Sequence, residues 1–177
     1  MRCRPAPTTS LRSGFMSEAV TVPPEQLAEE EPQIPTRRLL AFEVGANVFA
    51  CDMDSFREIV PVQRTTRLPG APDTVCGLIN LRGTIVTVID GGTALGKPPC
   101  DRKNGLILLI DYFERLVGLG VDDVRDIHDV PIDQFGDAGA LDSVAAGIVT
   151  SAVEIQGRRV LVLDIKVLVQ EVFGQRR

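Results

Sequence analysis

Apolar residues in this chain come in short runs, and the polar residues between them are turn formers. Leu39-Leu40-Ala41-Phe42-Glu43-Val44 and Val48-Phe49-Ala50-Cys51-Asp52 have strand length, and Gly45-Ala46-Asn47 between them reads as a hairpin turn. The same pattern recurs from Val75 to Asp90, where two β-branched runs flank Asn80 and the pair Arg82-Gly83. That predicts strand, tight turn, strand, with Gly83 supplying a positive φ. Leu106 to Asp111 is apolar on both faces and pairs with Arg115 to Val121 across Tyr112-Phe113-Glu114. Gly118 and Gly120 in the second run mark a bend or a close backbone approach. Val124, Ile127 and Val130 alternate with acids from Asp122 onward, which predicts a strand with a solvated face. Ala146 to Ile155 and Arg158 to Asp164 form a last hairpin, joined at Gln156-Gly157. Only the C-terminus changes period: Ile165, Leu168, Val169, Val172 and Phe173 make one apolar face of a helix.

The connections are read from their punctuation. Asp54 as a cap predicts a short helical turn over Ser55 to Ile59, which Pro61 must end. Phe56 and Ile59 share one side of that turn. Thr65 to Leu68 is extended, and Pro69-Gly70-Ala71-Pro72, Gly91 to Asn104 and residues 131 to 144 are loops. About nine short strands, with a turn signal every eight to twelve residues, predict an all-β sandwich or barrel rather than βαβ units.

Composition divides the chain. Residues 1–36 hold half of the 12 prolines, and their charge switches from Arg2, Arg4 and Arg12 to Glu18, Glu25, Glu29, Glu30 and Glu31. Such a stretch cannot bury enough apolar surface to offset its ordering entropy, so a disordered leader is expected, followed by a folded domain over 37–177. The first fifteen residues lack the apolar core of a secretory signal, and Met16-Ser17-Glu18-Ala19 is an alternative start. Hydrophobic residues make up 44% of the 177, enough for a core, with one Tyr and no Trp. No apolar run reaches the roughly 20 residues a membrane helix needs, so a soluble, cytoplasmic protein is expected. A net charge of −5 with dispersed basic residues argues against nucleic acid.

Little of the available chemistry converges. Cys3, Cys51, Cys76 and Cys100 contain no C-x-x-C pair, and His128 is the one histidine, so no metal site is expected. Cys51 and Cys76 sit inside strand patterns as small buried thiols. Gly91-Gly92 and Gly96-Lys97 fit neither phosphate-loop spacing. Asp122, Asp123, Asp126 and Asp129 lack the spacing of a calcium loop, and His128 among them reads as a solvated residue. Arg82 stands out as a permanent charge between apolar runs; it either pairs with a carboxylate or carbonyl, or it meets a partner. No catalytic group or cofactor is expected, and a binding or scaffolding module is the default.

Several stretches carry a resemblance. Gly77-Leu78-Ile79-Asn80-Leu81-Arg82-Gly83 through Asp90 resembles the G-x-I-N-L-R-G core of the CheW-like coupling proteins of bacterial chemotaxis. Arg67-Leu68-Pro69-Gly70-Ala71-Pro72 resembles that family's R-I-P-x-A-P loop. Phe49-Ala50-Cys51-Asp52 with Arg57-Glu58-Ile59, and Val117-Gly118-Leu119-Gly120-Val121-Asp122-Asp123-Val124, resemble two further motifs, in the right order from about Arg37 to Phe173. The resemblance implies two small intertwined five-stranded SH3-like barrels with a short C-terminal helix. It implies a non-enzymatic adaptor that couples chemoreceptor cytoplasmic tips to a CheA-type histidine kinase, associated with membrane receptor arrays. By position it implies a receptor groove lined by Phe56, Glu58, Gly77, Arg82, Leu106 and Val124, with Asn80 and Gly83 shaping a turn at the barrel junction. It implies a kinase contact at one barrel end without naming residues. Thr87 stands where the family has proline, Asp90-Gly91-Gly92 where it has D-L-R, and Val60-Pro61 at a place more often polar. Flagellar chemotaxis and a sister pathway, pilus motility or second-messenger control, both stay open. So do a bracing and a partner-contacting role for Arg82.

Overall fold

The computed structural model describes residues 34–139 and 147–174. Among the described residues ten strands are present: β1 (Thr36–Val44), β2 (Asn47–Asp52), β3 (Glu58–Pro61), β4 (Val75–Leu81), β5 (Thr84–Asp90), β6 (Leu106–Tyr112), β7 (Arg115–Val121), β8 (Asp123–Pro131), β9 (Val149–Ile155) and β10 (Arg158–Leu163). Helix α1 (Gly91–Ala94) follows β5, and α2 (Ile165–Gly174) follows β10. The strands form two five-stranded sheets, ordered β8-β1-β2-β10-β9 and β3-β6-β7-β5-β4.

The two sheets share one plan. Each has an antiparallel edge strand, a hairpin, one parallel step and a second hairpin. The parallel steps pair Leu161 with Phe49 in the first sheet and run from Thr87–Val117 to Asp90–Gly120 in the second. In each, the segment after the edge strand bridges back to the far edge, Gly136 to Ala152 and Thr66 to Leu78, so each sheet curls into a small barrel. The chain begins the first barrel with β1 and β2, builds the whole second barrel, and returns to finish the first. This is the intertwined pair of SH3-like barrels that the resemblance implied.

Strand alternation decides which core each residue enters. On β6, Leu108 and Ile110 face a cluster shared by the two barrels, while Ile107 and Leu109 fill the second barrel. That is why β6 reads as continuously apolar. Phe42, Val44 and Cys51 join the shared cluster from the first sheet, and Leu39, Ala50, Val153 and Val162 fill the first barrel. Helix α2 presents Ile165, Leu168, Val169 and Val172 to the shared cluster, the face its spacing predicts.

Two connections and one boundary differ from expectation. The helical turn is a 3₁₀ turn over Met53–Ser55 without a side-chain cap, and Glu58–Pro61 is strand. Ile59 and Val60 are β-branched and pair with Leu108 and Ile107, and Pro61 is tolerated because β3 is an edge strand. The stretch after Asp90 opens with one helical turn. Strand β1 already includes Thr36, so the folded region starts before 37. The expected leader lies, up to residue 33, outside the described residues, as do Cys3 and Ala146. Among the described residues no helix is long and apolar enough to cross a membrane.

Candidate functional site

The hairpin of β4 and β5 turns on two left-handed residues, Arg82 at φ 51° and Gly83 at φ 88°. That conformation matches the twist of the flanking strands. Asn80 accepts a hydrogen bond through Oδ1 from the Gly83 N–H at 2.9 Å, which holds the turn. The left-handed backbone lifts the Arg82 side chain clear of the sheet, and it is 77% exposed. Its guanidinium donates to both carboxylate oxygens of Glu58, at 3.0 and 3.5 Å. Glu58 opens β3 and Arg82 directly follows β4, the two edges of the second sheet, so the pair spans the closure of the second barrel, which the Thr66–Leu78 bridge also closes further along. An exposed pair of this kind contributes about 0.2–1 kcal/mol.

The other four residues carried over from the resemblance divide by position. Gly77 has φ +138°, and a Cβ there would sit 2.4 Å from the Thr66 carbonyl oxygen. The crossing of these two backbones, with Leu78 and Thr66 exchanging hydrogen bonds at 2.8 Å, is what requires glycine. Phe56, Leu106 and Val124 are half-buried, and each packs against the cluster shared by the barrels. They come from the segment before β3, from β6 and from β8, and so mark the seam between the barrels. Leu106 pairs with Pro61, three residues along the strand from the Glu58–Leu109 pair. The charged pair and Leu106 therefore stand at opposite ends of β3. Asn80 and Gly83 shape the turn between β4 and β5, and the cluster shared by the barrels includes Phe42, Leu108 and Leu119.

A second center was not visible in the sequence. Asp90 is 1% exposed. Its Oδ1 accepts from the Thr93 N–H at 2.9 Å, the Thr93 hydroxyl at 3.2 Å and the Cys100 N–H at 3.3 Å. Its Oδ2 lies 3.7 Å from both the Cys76 thiol and the Arg102 guanidinium. The signal that could have found it is Asp followed three residues later by Thr at the end of an apolar strand, an N-cap pattern. Burial, then the Asp90 charge, pushes the Cys76 thiol up to about 11 and the Cys100 thiol up to about 12. Burial pushes Cys51 up to about 12 as well. All three are thiols rather than thiolates at neutral pH, and so are poor nucleophiles and metal ligands. Beside this hub lies a cavity of about 220 Å³ lined by Val62, Val88, Leu106 and Val121.

The acidic run has structural partners. Asp122 accepts from the Gly45 and Asp101 N–H groups, each at 2.5 Å, and Asp129 pairs with Arg38 at 3.0 Å. Among the described residues no group of three or more His, Cys, Asp or Glu side chains is arranged to hold a metal ion.

A family model described as the CheW-like domain matches residues 38–173. A probable chemotaxis protein CheW of Rhizobium etli is 37% identical over 92 residues, covering 51% of this chain and 59% of that relative. The chain thus spans under two thirds of that relative's length. Protein PilI of Pseudomonas aeruginosa is 29% identical over 99 residues, covering 55% of this chain and 56% of its own. The crystal structure of the scaffolding protein TtCheW from Thermoanaerobacter tengcongensis superposes with a TM-score of 0.67 at 20% identity, over 75% of this chain and 92% of that one.

Proposed function

This chain belongs to the CheW-like domain family, and on that premise we propose that it is a non-enzymatic adaptor of bacterial chemotaxis-type signalling. It couples chemoreceptor cytoplasmic tips to a CheA-type histidine kinase, in the cytoplasm and held at membrane receptor arrays by those partners. The observation that carries this reading is the extent of the family match, which runs through both barrels. The name of the Rhizobium etli relative supports the chemotaxis setting.

In this reading the helical tip of a receptor lies along the barrel seam. Phe56, Leu106 and Val124 offer half-buried apolar anchors to a helix face. Glu58 and Arg82 fix the register of the incoming helix through charged hydrogen bonds at one end of β3. The exposure of Arg82 supports this role, since a brace for the fold would be buried. Gly77 contributes by keeping the strand crossing tight. The kinase contact belongs to one barrel end.

Co-purification with a CheA-type kinase and receptor cytoplasmic fragments tests the reading; binding to neither at micromolar concentration sinks it. Arg82→Ala is expected to weaken receptor coupling while the thermal unfolding curve stays near that of the parent chain. If the variant instead unfolds, Arg82 is structural. The similarity to Protein PilI supports a second reading, a CheW-like module acting in trans in a sister pathway such as pilus motility or second-messenger signalling. Adjacent receptor and kinase genes would separate the two.

A further inference from the structure

A second charged surface lies away from the Glu58–Arg82 pair. Arg67 precedes the Pro69–Pro72 loop, Lys97 follows α1, and Arg102 precedes β6, yet all three face one cleft of about 700 Å³. A single acid, Asp73, shares the cleft lining. Every ion pair among the described residues leaves Arg67 and Lys97 out. Arg102 reaches only toward the buried Asp90, at 3.7 Å, and stays 51% exposed. Lys97 is half-buried and, among the described residues, has no counter-ion. In a chain of net charge −5, this convergence of cations runs against the charge of the whole molecule.

The walls narrow the chemistry of the occupant. Leu68 is exposed, and Pro69, Pro72 and Pro99 line the cleft beside it. Pro69, Pro72 and Pro99 present no backbone N–H, and the Ala71 N–H donates to the Leu68 carbonyl at 3.2 Å, so this wall has few amides for a compact phosphate. It offers an aliphatic surface flanked by side-chain cations. An extended segment with carboxylates and aliphatic side chains in alternation matches both features at once.

We propose that this cleft docks an acidic, aliphatic-containing segment of a partner protein, with carboxylates on Arg67, Lys97 and Arg102 and aliphatic side chains on the Leu68–Pro72 wall. The site goes beyond the adaptor reading and does not depend on whether the partner is a receptor or a kinase. Its charge complementarity also accelerates encounter at low salt.

The test is an amide-shift titration of the full chain with a capped peptide of alternating glutamate and leucine, and with the same peptide carrying glutamine for glutamate. The expected result is saturable shifts at the Leu68–Asp73 loop and around Lys97 with the acidic peptide alone, weakening as salt rises. Arg67→Glu and Lys97→Glu should each weaken binding about tenfold, and Asp73→Asn should tighten it about twofold, because charges at a solvent-facing site contribute modestly each. Lys97→Met repeats the test with a side chain that keeps the buried stem, should charge reversal at this half-buried position perturb the fold. Equal binding of the neutral peptide, shifts outside the cleft, or unchanged affinity in the Arg67 and Lys97 variants overturns the proposal. Inorganic phosphate producing the same shifts at the same affinity also overturns it, in favor of a compact-anion site.

Discussion

The two barrels share a strand plan and part company where each second hairpin ends. In the first barrel β10 runs into Asp164, whose Oδ1 caps α2 through the Lys166 and Val167 N–H groups at 2.9 and 3.1 Å. In the second barrel β5 runs into Asp90, which caps α1 through Thr93. From the same start, α2 continues for ten residues and α1 for four. Two close backbone approaches separate them. A Cβ at Gly91 would lie 2.5 Å from the Gly120 carbonyl oxygen, and one at Gly92 would lie 1.9 Å from that of Pro98. Where the first barrel places apolar side chains, the second places backbone, so its capping carboxylate is enclosed by Cys76, Cys100 and Arg102 rather than by a helix face. One copy of the plan is committed to the shared core. The other keeps a buried polar hub beside a cavity.

The largest effect should come from the α2 side. Leu168 is fully buried in the cluster that the two barrels share. Leu168→Ala should cost about 2–5 kcal/mol, from lost transfer free energy and the cavity left behind. Because the cluster joins the barrels, chemical denaturation should still show one transition, shifted to lower denaturant. Two separated transitions would mean that the barrels do not depend on a common core.

The two caps sharpen the comparison at the next level. Asparagine caps a helix as well as aspartate does, so Asp164→Asn should be nearly neutral. Asp90→Asn should cost about 1–3 kcal/mol, because its amide nitrogen brings donors to a site where Thr93, Cys100 and Cys76 already donate. Denaturation midpoints of the two variants, measured side by side, check this. Equal losses would show that Asp90 is only a cap.

The same contrast explains what the sequence made legible. The hairpins and α2 follow from local alternation and turn residues, and those elements stand where the pattern puts them. The shared plan was hidden because the first barrel is split around the second in chain order, so no stretch of sequence aligns with another in register. Asp90 read as the last residue of a strand, since its partners Cys100 and Arg102 belong to a loop without a pattern. Glu58 and Arg82 are 24 residues apart and meet only because β3 and β4 are the two edges of one closing sheet. Glu58–Pro61 was missed because Pro61 argues against a strand unless its edge position is known.

Alkaline pH offers a subtler test of the hub. In the unfolded chain the thiols ionise near 9.0, whereas in the fold Cys76 is held up to about 11 and Cys51 and Cys100 up to about 12. The unfolded state therefore loses protons first. The stability these thiols contribute is complete below pH 9 and is lost as pH rises toward 11 and 12. Denaturation midpoints should fall across that window in the parent chain, and less steeply in a Cys76→Ala, Cys100→Ala double variant. Identical slopes would separate the thiols from alkaline unfolding.

The smallest expected stability effect concerns the two hairpin tips. Gln156-Gly157 between β9 and β10 adopts φ 52° and 72°, close to the 51° and 88° of Arg82-Gly83 between β4 and β5. The first barrel thus makes the equivalent turn with a neutral side chain. Arg82→Gln borrows that solution: the left-handed backbone is kept and only the pair with Glu58 is lost. Since the pair is exposed, thermal unfolding should register a loss of about 0.2–1 kcal/mol. A loss above about 2 kcal/mol, beyond what an exposed pair supplies, would make Arg82 a brace of the second barrel. A small loss together with weakened receptor coupling would mean that the fold needs only the turn at this position. The arginine would then be there for whatever docks against the seam.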